Sequence, residues 1–158
     1  MESYNPSEHE IESFKRFMKL MPQNADLELT ILKGHLLIEE QLRAIIKERI
    51  KGNKALELDN NNWSFYHVLR LSEALCHDEE DAILWKCIAK LNKIRNDMAH
   101  NLEPKGLNDR VDDLNEAWPS GFAELEKGRN ALLDLTLWSI YTILSGLVKT
   151  PSAKIIQL

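Results

Sequence analysis

Cysteine, glycine, proline and excess positive charge are all scarce in this chain of 158 residues. The two cysteines, Cys76 and Cys87, are too few for a disulfide framework, and a spacing of eleven fits no zinc motif. Two free thiols in a reducing cytosol are the expectation. Six glycines and five prolines leave little turn chemistry, which argues against a fold of many short strands. The formal net charge of −5 excludes a protein that holds nucleic acid through overall positive charge, because phosphate is repelled at long range. It leaves room for a small basic site. The opening MESYNPSEHEIESF is acidic and has no apolar run, so neither a signal peptide nor a membrane location is expected. One apolar run, ALLDLTLWSIYTILSGLV (131–148), approaches the length of a membrane span. Its Asp134 would cost about 2.5–3.5 kcal/mol at mid-bilayer, so a buried core helix is expected instead.

What the chain does have is helical periodicity. Ser7 and Glu10 form a capping-box pattern ahead of Ile11, Phe14, Phe17 and Met18, with Pro22 as the stop. From Leu27 to Ile50, apolar residues at 27, 31, 32, 36, 38, 42, 45, 46 and 50 describe one broad core stripe, opposite Glu39, Glu40, Arg43, Lys47 and Glu48. Gly34 inside this helix predicts the close approach of another one. Residues 51–62 read as a loop. Ser64 caps a helix containing Phe65, Val68, Leu69, Leu71 and Leu75, and His77 and Asp78 break it. The acidic run 78–81 precedes a helix whose core side is Ile83, Leu84, Cys87, Ile88, Leu91, Ile94 and Met98. Pro104 predicts its end near Asn101, a residue type suited to a left-handed cap. A short acidic helix (108–117) and a long closing helix from about Phe122 to Lys149 complete the pattern. The fold expected is all-α, a single-domain helical bundle over 1–158 with three long helices and two or three short ones.

The stretch KLNKIRNDMAHNLEP (90–104) carries the chemistry. Arg95 and His100 lie about 140° apart around the helix axis, and Asn96 and His100 about 40° apart. All three fall away from Ile94 and Met98. A solvated helix end, where a histidine meets the negative end of the dipole, is the plain structural explanation. Residues 86–105 hold five cations (Lys86, Lys90, Lys93, Arg95, Lys105) against Asp97 and Glu103, a local charge of +3. Residues 106–126 hold Arg110 against six carboxylates, a local charge of −5. A basic island beside an acidic flank suits a phosphate site with restricted access, as it also suits ordinary solvated helix faces.

The segment RNDMAH resembles the R-x4-6-H signature of the HEPN superfamily (higher eukaryotes and prokaryotes nucleotide-binding), in which a polar residue follows the arginine, as Asn96 does here. The lead-in LNKIR and the small Ala99 before the histidine fit the same pattern. The helix order extends the resemblance over about 27–148. It implies an HEPN-like bundle that forms a homodimer through its motif helices. In active members it implies metal-independent RNA cleavage with no cofactor, in toxin, defence or stress roles, with a possible antitoxin or regulatory protein partner. Arg95, Asn96 and His100 become the implied catalytic residues, with Lys90 and Lys93 as RNA contacts. Cleavage by a ribose 2′-OH needs a base, an acid and stabilisation of phosphorane charge. Histidine titrates near neutrality and arginine grips phosphate with a planar fork. One chain offers one such histidine, so a twofold dimer is expected to supply acid and base together. Leu102 stands where toxin members paired with a nucleotidyltransferase antitoxin carry a modifiable Tyr, which puts that form of regulation in doubt. The alternative is a non-catalytic regulator or interaction module similar to the mannitol operon repressor family; no helix-turn-helix signal is present in either case.

Elsewhere the signals are weak. His35, near the apolar stripe of the second helix, is expected to be a buried, satisfied histidine. His67, Cys76 and His77 lack a fourth ligand at sensible spacing for a metal. Trp63, Trp85, Trp118 and Trp138 are expected in the core or an interface, with no stacking channel for single-stranded RNA.

Overall fold

The computed structural model describes residues 5–24, 26–51, 62–76, 82–119 and 128–149. Among these residues six helices run in chain order: α1 (Glu8–Leu20), α2 (Leu27–Arg49), α3 (Phe65–Leu75), α4 (Ala82–His100), α5 (Leu107–Ala117) and α6 (Arg129–Lys149). No strand occurs among the described residues, so the protein is an all-α bundle of three long and three short helices. The closing helix begins at Arg129, with Gly128 outside it, so it does not run unbroken from near Phe122 as expected. The loop over 52–61, His77 and the acidic run 78–81 lie outside the described residues.

Local chemistry sets the boundaries. Ser7 and Glu10 form the full capping box at α1: the Glu10 amide donates to the Ser7 hydroxyl, and the Ser7 amide donates to the Glu10 carboxylate at 2.7 Å. Asp26 caps α2 by accepting from the Leu29 amide at 2.7 Å, and Ser64 caps α3 through the His67 amide. At the end of α4 the expected left-handed cap at Asn101 does not form. Asn24 is the one non-glycine with positive φ among the described residues. The Asn101 side-chain amide instead donates to the Asp97 carbonyl at 2.9 Å, satisfying an end group that a left-handed turn would otherwise serve. Gly106, at φ 69°, then supplies the left-handed residue that leads into α5.

The core forms around α2, which packs against α6, α3 and α4, while α1 rests on α6 and α5 bridges α4 and α6. The contact of α2 with α6 is close at Gly34, as its sequence position suggests: a Cβ there would lie 2.5 Å from Leu137 Cδ1. Helix α1 is fastened to α6 by Phe17 against Tyr141 (ring centroids 5.3 Å), Phe14 edge-on to Trp138 (5.9 Å) and a 2.7 Å bond between the Ser13 and Ser145 hydroxyls. By length and composition α6 could cross a membrane. In the bundle its Leu133, Thr136, Leu137, Ile140, Tyr141, Leu144, Ser145 and Leu147 are buried against the neighbouring helices.

Two of the expected core positions on α2 are not in the core. Leu32 is 39% and Leu36 60% exposed. The buried arc of α2 takes in Ile31, Ile38, Leu42 and Ile45, and Leu36 lies about 120° around the axis from Leu42, past its edge. On α1 only Phe17 of the apolar set is buried; Ile11, Phe14 and Met18 stay substantially exposed because α6 covers a single side of that short helix.

Candidate functional site

The motif helix α4 buries Leu84, Trp85, Cys87, Ile88, Leu91 and Ile94, which fixes its rotation and turns Asn96 and His100 to solvent. Arg95 sits at the edge between these faces and is half-buried. Its Nη1 donates to the Asn96 side-chain oxygen at 3.2 Å. Arg95 and Asn96 line a cleft of about 420 Å³ between α2, the start of α3 and α4. His100 lines a different cleft, shared with Glu28, Met98 and Pro104. Within one chain, then, the arginine and the histidine of the motif open into separate depressions.

The two lysines expected to contact RNA diverge. The Lys90 ammonium pairs with the Asp113 carboxylate of α5, while Lys93 is exposed beside Asn96 and His100 on the helix surface. Asp97 pairs with Arg110 of α5. The acidic flank thus folds back onto the basic island, neutralising Lys90 through Asp113 while Arg110 takes up the island's own Asp97, a pairing that a tally along the sequence does not reveal.

The Arg95 cleft contains residues that the motif did not point to. His35 is 4% exposed; its ring donates through Nε2 to the Asn92 side-chain oxygen at 3.1 Å and stacks on Phe65 at 4.2 Å. That agrees with a buried, satisfied histidine. Glu39, one turn further along α2, accepts from Arg43 Nε at 3.0 Å and from Arg43 Nη2 at 2.6 Å. Arg43 Nη2 also donates to the Trp63 carbonyl at 2.9 Å, tying α2 to the residue before the α3 cap. Positions 35, 39 and 43 share one helix face, and 92, 95 and 96 lie within a turn of one another. Those spacings are visible in the sequence. That the two helices present them to each other is not.

Burial holds the His35 imidazole below the ordinary histidine value; the Asn92 hydrogen bond and the Glu39 carboxylate oppose that shift, and Arg95 reinforces it. The unfolded chain takes up this proton as pH falls through about 6.5, and the folded chain resists it. The contribution of His35 to stability is therefore complete above the unfolded value and lost as pH falls below it. Urea denaturation at pH 7.5 and 5.5 is expected to show a lower midpoint at the acid pH. In His35→Gln that difference shrinks; an undiminished difference would assign it to other groups.

Comparison with protein-family models, curated proteins and solved structures finds no match to this chain.

Proposed function

We propose that the protein is a dimeric, HEPN-type ribonuclease that needs no metal, with Arg95, Asn96 and His100 at its reaction centre and a toxin, defence or stress role. The observation that carries this reading is the state of Arg95. Arg16, Arg43, Arg70, Arg110 and Arg129 each pair with a carboxylate. Arg95 has none among the described residues, although it is half-buried at the rim of a cleft. A partly desolvated guanidinium without a counter-ion favours an incoming anion, and its planar fork suits phosphate. His100, exposed at the end of the same helix, stands in reach of solvent and substrate.

In this mechanism an imidazole takes the proton from a ribose 2′-OH, the oxygen attacks the adjacent phosphorus, and the bond to the 5′-oxygen breaks as that oxygen receives a proton. Arg95 neutralises the extra charge on the phosphorane, and Asn96 holds Arg95 through its side-chain oxygen. Two proton transfers call for two histidines, and the second copy's motif helix supplies the other. The surface of α2 supports pairing: Leu32 and Leu36 form an exposed apolar step between Glu28, at the His100 cleft, and Glu39, at the Arg95 cleft.

The test is incubation of purified protein with end-labelled RNA in EDTA. Products ending in 2′,3′-cyclic phosphate and 5′-hydroxyl are expected. Intact RNA across a panel of structured and single-stranded substrates would leave the non-catalytic regulator as the function.

A further inference from the structure

The Arg95 cleft has three kinds of wall. Arg95 provides a cation without a carboxylate partner among the described residues. Trp63, Phe65 and Tyr66 provide aromatic surface at the start of α3. Asn92 provides an amide whose oxygen is already engaged by His35, leaving its NH2 group as a donor. Two of the rings are held in place. His35 stacks on Phe65, and Arg70 lies over Tyr66 with its guanidinium carbon 5.4 Å from the ring centroid. Tyr66, with Arg70 over its ring and His67 set edge-on to it at 5.9 Å, still leaves 57% of its surface exposed. The charges of Glu39 and Arg43 cancel in their own pair, so with His35 neutral the cleft carries the single positive charge of Arg95. Its volume of about 420 Å³ falls in the range of small-ligand sites.

We propose that this cleft binds one nucleotide unit, with the phosphate at Arg95, the base against Tyr66 and a base-edge acceptor at the Asn92 amide. The inference rests on the RNA-cleaving reading for its ligand class, and it adds a base-recognition pocket beside the scissile phosphate. It also revises the expectation that no aromatic platform exists: the rings come from adjacent residues at a helix start, where no periodic pattern marks them. The shared chemistry is a phosphorylated nucleoside, either one residue of an RNA chain or a free mononucleotide.

Calorimetric titration of the full chain, in EDTA, separates these sources. The probes are the four nucleoside 5′-monophosphates and a short single-stranded RNA carrying 2′-O-methyl groups, which block cleavage. Binding is expected to weaken about tenfold or more in Tyr66→Ala and to survive in Tyr66→Phe, as stacking requires. Arg95→Ala is expected to lose affinity for both the mononucleotides and the RNA, because each carries a phosphate. Equal affinity for mononucleotide and RNA assigns the cleft to free nucleotides; preference for RNA assigns it to the chain. Failure of both probes to bind, or unchanged affinity in Tyr66→Ala, overturns the inference. A protein that cleaves RNA with no dependence on Tyr66 loses the pocket and keeps the nuclease; one that binds through Tyr66 and cleaves nothing loses the nuclease and keeps the pocket.

Discussion

Replacing His100 with alanine is expected to lower RNA cleavage by about 10²–10⁴-fold, the usual contribution of a positioned proton-transfer group. The fold should be untouched. The side chain is exposed, and no hydrogen bond or ion pair holds its ring among the described residues, so truncation removes no packing. An unchanged thermal midpoint, measured beside the activity, checks this. Arg95→Ala should be as damaging, and Arg95→Lys only partly restorative, because an ammonium keeps the charge and loses the fork that grips two phosphate oxygens. Mixing the two inactive proteins carries further information. If the reaction centre draws on two copies, the mixed dimer retains one Arg95 and one His100, contributed by different chains. That dimer still lacks the second histidine of the two-histidine mechanism, so activity above either parent yet well below the unaltered protein is expected, together with a sedimentation mass twice the 18.3 kDa of the chain. A mixture no more active than its parents would mean either that one histidine does not suffice or that no centre is shared between copies. A sedimentation mass of a single chain would decide for the latter. Full activity in His100→Ala would end the catalytic proposal.

Much of the bundle was legible before any coordinates because its information is local. Capping residues at Ser7 and Ser64 and the period of apolar residues from Leu84 to Ile94 depend on neighbours within a turn or two, and each element lies where that chemistry puts it. The failures share a different cause. Leu32 and Leu36 match the apolar period of α2, yet how much of a helix is covered depends on which helices arrive and at what angle. The pairing of Lys90 with Asp113, and of Asp97 with Arg110, likewise follows from α5 folding back on α4. Of the candidate site, the motif on α4 was readable and the cleft was not. His35 and Asn92 are 57 residues apart and meet only because α2 and α4 pack together. The partner of a side chain across an interhelical groove is a tertiary fact, and no single-helix pattern encodes it.

The packing that brings α2 and α6 together yields the largest expected effect on stability. In most exposed helices Gly→Ala stabilises by about 1 kcal/mol, since alanine restricts the unfolded chain and favours the helix. At Gly34 the sign should reverse. A Cβ would stand 2.5 Å from Leu137 Cδ1, 3.0 Å from Cδ2 and 3.2 Å from Cγ, so the whole isobutyl group lies over the glycine. Leu137 is fully buried, and its side chain has nowhere to swing without disturbing the core. Overpacking of this kind costs about 1–3 kcal/mol, enough to outweigh the helix-propensity gain. Leu137→Ala alone should cost more, about 2–5 kcal/mol, because it leaves a cavity at the centre of the bundle. In the Leu137→Ala background the obstacle is gone, so adding Gly34→Ala should stabilise the protein and recover part of that loss. The two substitutions are therefore expected to couple strongly, as contacting residues do, and the cycle is read from urea denaturation of the four proteins. If Gly34→Ala stabilises the otherwise unaltered chain, the close approach of α2 to α6 is not what selects glycine at this position.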